Sequence, residues 1–219
     1  MFKQLLLTLG RGLAMLAAVY VPTFALVSVV IISGTSLEAA IPLTIGISLG
    51  IALILMATVG GRRFGSFGFR PAGAKALGWS LCLGVAVAAL LRWFAMVMNV
   101  QQPPMTGLAT WQVILFFWVA APVQEEVIFR GLLQGILQRG FPVLIPAARW
   151  KFSVAALISA VAFALVHLAL PTVGMSSGAT AFVVASALIL GLVTGQLRWS
   201  TGSLAPCFVI HALFNIIIG

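Results

Sequence analysis

The sequence predicts an all-α fold, a polytopic transmembrane bundle of about seven helices with its N-terminus in the cytoplasm. Three observations carry that prediction. Hydrophobic residues make up 62% of the chain and charged residues 7%, with a mean hydropathy of +1.20, far from soluble globular usage. Apolar runs of about 20 residues, the length a helix needs to cross the hydrocarbon core, recur along the whole chain. The basic residues concentrate in alternate connections between those runs.

Taken in order, the first span covers 12–33 and follows Lys3 and Arg11. It is too long for a signal peptide and lacks a small-residue cleavage site, so it is read as retained. The second span covers 39–60, and the loop after it carries Arg62, Arg63, Arg70 and Lys75. The third covers 76–98 and the fourth 111–136, which is followed by Arg139, Arg149 and Lys151. The fifth covers 153–170, the sixth 178–197 with Arg198 behind it, and the seventh 203–218.

The remaining connections, 34–38, 99–110 and 171–177, contain no Lys or Arg. Positive charge marks the cytoplasmic side, so the N-terminus is expected inside and the C-terminus outside. A single membrane domain is expected over 1–219, with N-terminal spans in 1–110 and a motif-bearing core in 111–219. The net charge of +9 is therefore a topology signal. It implies the lipid bilayer as a partner and no nucleic acid. The compact chain and short loops suit a multi-pass protein of the cell inner (cytoplasmic) membrane.

Smaller features fit this frame. Trp79, Trp111, Trp150 and Trp199 fall near span ends, where amphipathic rings sit at headgroup level. Gly46/Gly50, Gly131/Gly135 and Gly191/Gly195 have the helical spacing that lets two helices approach closely. The segments 61–75 and 140–151 each have room for a short interfacial helix. Cys82 and Cys207 both fall inside spans, which argues against a structural disulfide.

Chemistry concentrates in the second half. The chain has three acidic residues, and two of them, Glu125 and Glu126, are adjacent within the fourth span. An uncompensated charge at mid-bilayer costs at least about 2.5–3.5 kcal/mol, so the pair demands partners or a task. Glu126 and Arg130 are four apart in the favourable order for an ion pair. Glu125 is rotated by about 100° and is left for another partner. Pro122 lacks the N–H that would reach the carbonyl of Trp118 and marks a place for a kink.

Both histidines of the chain lie in later spans, with Phe163 and His167 four apart on the fifth and His211 and Asn215 four apart on the seventh. A rise of about 1.5 Å per residue from the cytoplasmic ends puts Glu125 roughly 17 Å deep, His167 roughly 21 Å, His211 roughly 12 Å and Asn215 roughly 18 Å. One layer can hold them all. A carboxylate and an imidazole can activate water, while a second imidazole and an amide can stabilise an oxyanion. The structural alternative is a buried Glu126–Arg130 pair, with the histidines and Asn215 acting as interhelical glue.

Glu125-Glu126-x-x-x-Arg130, Phe163-x-x-x-His167 and His211-x-x-x-Asn215 together resemble, in order, the three motifs of the CPBP intramembrane proteases, the group that contains the CAAX prenyl endopeptidases and bacteriocin-processing or immunity proteins. The resemblance covers 111–218. It implies that Glu125 and His167 activate the hydrolytic water and that His211 and Asn215 stabilise the oxyanion. It further implies that Glu126 and Arg130 hold the site, that Phe163 packs beside it, and that no cofactor is needed. A zinc site built from Glu125, His167 and His211 is the mechanistic alternative. The implied partner is a membrane-associated peptide or protein substrate. Two other functions stay open: a non-catalytic membrane partner or immunity protein that keeps the fold, and a transporter or channel, against which the lack of an inverted repeat argues.

Overall fold

The computed structural model describes residues 2–60, 64–100, 108–147 and 150–218. Among them, long apolar helices follow one another with short connections: α1 (Phe2–Ile32), α2 (Leu37–Gly60), α3 (Ala74–Val97), α4 (Thr110–Gly140), α5 (Val154–Val166), α6 (Ser177–Thr201) and α7 (Ala205–Ile218). A 3₁₀ turn (Phe64–Phe67) precedes α3, and a second 3₁₀ stretch (His167–Val173) extends α5. Six of these segments are long and apolar enough to cross a membrane, and the protein is a multi-pass membrane protein.

The expected seventh span is shorter than a crossing helix. Residues 203–204 are bent into ties to the loop before α3, with Ser203 Oγ donating to the Arg70 carbonyl and Leu204 N–H to that of Gly68. Only the 14 residues of α7 remain helical. The expected helix in 140–151 is also replaced: Leu144–Ala147 pairs antiparallel with Trp150–Ser153. Pro142 and Pro146 deny that stretch its helical hydrogen bonds, which leaves extended backbone as the way to pair. In 61–75 the described residues before α3 form only the 3₁₀ turn, and Arg62, Arg63 and Arg149 lie outside the described residues.

α4 is the centre of the bundle, touching α1, α2, α5, α6 and α7. The most extensive helix pairs around it are α3 with α7 and α5 with α6. The α5–α6 approach runs through small residues. A Cβ on Gly191 would lie 2.9 Å from Ala160 Cα, and one on Gly195 would lie 3.1 Å from Ala156 Cβ. Gly135 makes room for a different guest, the ring of the turn residue Phe67, which is fully buried, and Gly131 for Met56 and the Phe67 carbonyl. A Cβ on Gly46 or Gly50 would meet nothing within 4 Å, so that pair brings no helices together. α2 carries it on a face pointing away from its neighbours.

The basic residues gather at one end of the bundle. Gln4 near the start of α1 donates to the Gly140 carbonyl at the end of α4, and Arg139 Nη1 donates to Ser66 Oγ. Arg198, 4% exposed, reaches from the end of α6 to the Ser66 carbonyl, while Gln196 donates to the carbonyl of Lys151. These contacts place Lys3, Arg70, Lys75, Arg139, Lys151 and Arg198 on the same side, as the alternation in the sequence requires. At the opposite end Arg92 Nη1 donates to the Ile218 carbonyl at 3.0 Å.

Candidate active site

The site grows from an irregular helix. α4 holds two π-helical stretches, Val113–Ala120 and Val127–Leu133, on either side of a short α-helical segment, Ala121–Glu126. Pro122 therefore does not break the helix. The wider turn already begins upstream, and the Ala121 N–H reaches the Phe116 carbonyl five residues back. The two glutamates fall at the junction with the second π stretch.

Helical rotation gives them unlike surroundings. The Glu126 side chain is completely buried, whereas that of Glu125 is 26% exposed. Glu126 Oε2 lies 3.2 Å from Arg130 Nε, an ion contact whose angles fall short of a hydrogen bond. Its other oxygen accepts from His211 Nδ1 at 2.8 Å. The pairing expected from spacing is present, and His211 is added to it: Glu126 serves Arg130 and His211 together. The helix period could assign the partner within α4, but a partner from α7 depends on how the two helices cross.

His211 thus stands between the carboxylates, with Nδ1 held by Glu126 and Nε2 3.4 Å from Glu125 Oε2. Because a carboxylate accepts, it fixes the proton on Nδ1. His167 begins the 3₁₀ stretch, where its Nδ1 lies 2.8 Å from the Phe163 carbonyl. That carbonyl can only accept, so Nδ1 carries the proton and Nε2 is left as the acceptor of the neutral ring. Asn215 Nδ2 donates to the Phe117 carbonyl in the first π stretch at 2.8 Å, tying α7 to α4.

Phe163 is the apolar hub. The Arg130 guanidinium lies 4.4 Å from its ring centre, and the ring meets both His167 and His211 edge to face, with centroids 5.0 and 5.6 Å apart. Gly191 leaves space for Arg130, since a Cβ there would stand 3.1 Å from Nη2. The small residue that brings α5 and α6 together also makes room for the buried cation.

Glu125, His167, His211, Asn215 and Phe163 all line one cavity of about 260 Å³. Among the described residues Glu125 makes its ion contact with His211 and none with His167. Glu126 and Arg130 lie behind the cavity wall. No group of three His, Cys, Asp or Glu side chains among the described residues has metal-holding geometry. Cys82 and Cys207 are free thiols, exposed and buried respectively.

Ser186 of α6 escaped the sequence reading. It lines the same cavity, is 3% exposed, and its hydroxyl has no hydrogen-bond partner among the described residues. Thr23, Ser80 and Thr194 instead donate back to the carbonyl four residues earlier. Nothing in the local sequence distinguishes Ser186 from them.

A family model, type II CAAX prenyl endopeptidase Rce1-like, matches residues 107–217, which holds α4 to α6, α7 up to its last residue, and Glu125, His167, His211 and Asn215. The chain belongs to that family. It is an enzyme of the CAAX protease type, within the wider CPBP group of intramembrane proteases that the three motifs resemble. Comparisons with curated proteins and with solved structures gave no significant match. The family match begins at the lip of α4, so α1 to α3 of this Rce1-like protein lie outside it.

Proposed function

We propose that this chain is an endopeptidase that hydrolyses a peptide bond of a membrane-associated protein or peptide within the bilayer, without a metal. The observation that carries this reading is the cavity in which three helices present Glu125, His167, His211 and Asn215 to one small volume. Glu125 is the exposed member of its pair, and His167 keeps Nε2 as an acceptor. A water between them can lose a proton to this pair as its oxygen adds to the peptide carbonyl carbon. His211 Nε2–H in the charged ring, together with the second N–H of Asn215, can then face the oxyanion. When the C–N bond breaks, the captured proton passes to the leaving amine and the products are a carboxylate and an amine.

In this scheme Glu126 and Arg130 are positioning residues, since Glu126 reaches the reaction through His211. The cell inner membrane is the proposed location. The test compares the termini of membrane proteins between cells carrying the wild-type chain and cells carrying Glu125→Ala. Termini present only with the wild-type chain are expected, and identical sets would sink the proposal.

One observation favours a second reading, a non-catalytic membrane partner. Glu126 joins Arg130 of its own helix to His211 of α7, contacts that tie two helices together whatever the cavity holds. If holding the fold were the whole task, Glu125→Gln and His167→Ala would leave the cellular phenotype intact while Glu126→Ala abolished it.

A further inference from the structure

We propose that a second cavity, at the basic end between the first turns of α1 and the last turns of α2 and α4, binds one anionic phospholipid. Its phosphate would sit between Arg11 and Arg139 and its chains against Met15, Val59 and Ile136. The site is separate from the cavity beside Glu125 and stands whether or not the chain hydrolyses peptides.

Spacing along the sequence builds the walls. Gln4, Thr8, Arg11 and Met15 follow one another at intervals of four, three and four, so one face of α1 supplies both polar and apolar lining. Ile136 and Arg139 are three apart on α4, and Val59 comes from the last turn of α2. Beside the cavity α1 and α4 are drawn together. A Cβ on Gly12 would lie 2.8 Å from Leu133 Cδ1, one on Gly140 would run into the Thr8 side chain, and Gln4 Nε2 donates to the Gly140 carbonyl at 3.3 Å. The hollow of about 530 Å³ is therefore flanked by a tight seam.

The two guanidinium groups are held differently. Arg139 is oriented by three contacts: Nε donates to the Gly135 carbonyl at 3.1 Å, Nη1 donates to Ser66 Oγ, and the group lies 4.2 Å from the Phe67 ring centre. Arg11, exposed on α1, makes no hydrogen bond or ion pair among the described residues. The Thr8 hydroxyl already donates to the Gln4 carbonyl, so the charged donors of the cavity are these two groups.

No acidic side chain of the protein stands near enough to neutralise them. Glu38 lies in the first turn of α2, at the opposite end, while Glu125 and Glu126 are engaged with His211 and Arg130 in the middle of α4. The counter-charge has to come from outside the chain. A bilayer offers it as lipid phosphate, and basic pockets between helices at headgroup level take anionic headgroups. A zwitterionic headgroup would bring its own ammonium beside two guanidinium groups, which disfavours it. The apolar part of the lining separates a lipid from a bare anion. Ile136 and Met15 face the same space as the two arginines, and an acyl chain would cover them where inorganic phosphate could not.

Native mass spectrometry of the full-length protein in a neutral detergent tests the site. The protein is titrated with dioctanoyl phosphatidylglycerol, with dioctanoyl phosphatidylcholine, which has the same chains, and with inorganic phosphate. Saturable binding of one phosphatidylglycerol is expected, with phosphatidylcholine much weaker and no phosphate bound at the same concentration. Arg11→Gln should weaken phosphatidylglycerol binding about fivefold, the factor that corresponds to about 1 kcal/mol for one basic residue at a membrane surface. Arg11→Lys should restore most of it, and Lys151→Gln, at the same end but outside the cavity, should leave it unchanged. Equal affinity for the two lipids overturns the proposal, as does phosphatidylglycerol binding that Arg11→Gln does not change. Phosphate binding as tight as that of the lipid would replace the lipid site with a simple anion site. A loss in Lys151→Gln as large as that in Arg11→Gln would reduce it to diffuse surface charge. Arg139→Gln should act as Arg11→Gln does, but Arg139 also supports the Phe67 turn, so the Arg11 variants carry the decision.

Discussion

The two π stretches of α4 share a backbone form and little else. Val113–Ala120 has no buried residue, while all seven residues of Val127–Leu133 are buried. The inner stretch is surrounded by α1, α2, α5 and α6 and carries Arg130, pinned against Phe163 and Gly191. The outer stretch lends Phe117 and Trp118 to the cavity and takes a hydrogen bond from Asn215. Between them the two glutamates take on the character of their sides. A wide helical turn is thus compatible with a rigid anchor or an open wall, and neighbouring helices decide which.

The largest effects should come from breaking the inner side. Glu126→Ala or Arg130→Ala leaves a fully buried charge without its partner, a loss of about 3–5 kcal/mol. The expected outcome is little monodisperse protein on size-exclusion chromatography in detergent. A stable, well-folded Arg130→Ala would show that the inner stretch does not anchor the site.

Next in size is the exposed carboxylate. Glu125→Gln should lower peptide hydrolysis by about 10²–10⁴-fold, the range associated with a positioned acid–base group. Its thermal unfolding in detergent should match the wild type, because Glu125 faces the cavity. A lowered unfolding temperature of the size seen for Glu126→Ala would erase the distinction between the two carboxylates.

Gly191→Val tests the inner side by crowding. Its branches would press on Ala160 and Arg130, and overpacking of this kind costs about 1–3 kcal/mol. Unfolding temperature should fall clearly, whereas an unchanged value would mean that α5 and α6 separate easily.

On the outer side Asn215→Ala removes a hydrogen bond of about 1 kcal/mol and leaves the Phe117 carbonyl to find another donor. A small drop in unfolding temperature is expected, with a larger one in hydrolysis. The smallest effect belongs to Gly46→Ala, whose Cβ would meet nothing within 4 Å and which should leave folding unchanged.

Much of this was legible in the sequence because it depends on local properties. Hydropathy placed the long helices, and the alternation of Arg and Lys matched the charged end that the tertiary contacts form. Helical spacing also separated Glu125 from Glu126 and set Phe163 beside His167. It failed where a partner comes from elsewhere. The bond between His211 and Glu126 spans 85 residues and depends on the crossing of α7 over α4. Gly191/Gly195 and Gly46/Gly50 have identical spacing, yet only the first meets a neighbour, because spacing describes a face without saying what it opposes. The hairpin was hidden by its apolar composition, although Pro142 and Pro146 carried the signal against helix.

Phe67 has a consequence for the order in which the protein is made. Gly60 at the end of α2 gives its ring room on one side, and the rest of its seat is synthesised much later: Gly135 of α4, with Arg198 fastening the neighbouring Ser66 and crowding Gly68, whose φ of +99° suits only glycine there. The first three helices therefore enter the bilayer with this aromatic ring only half seated, against Gly60. Only after α4 has been inserted can the turn close, and only after α6 has arrived can it be latched.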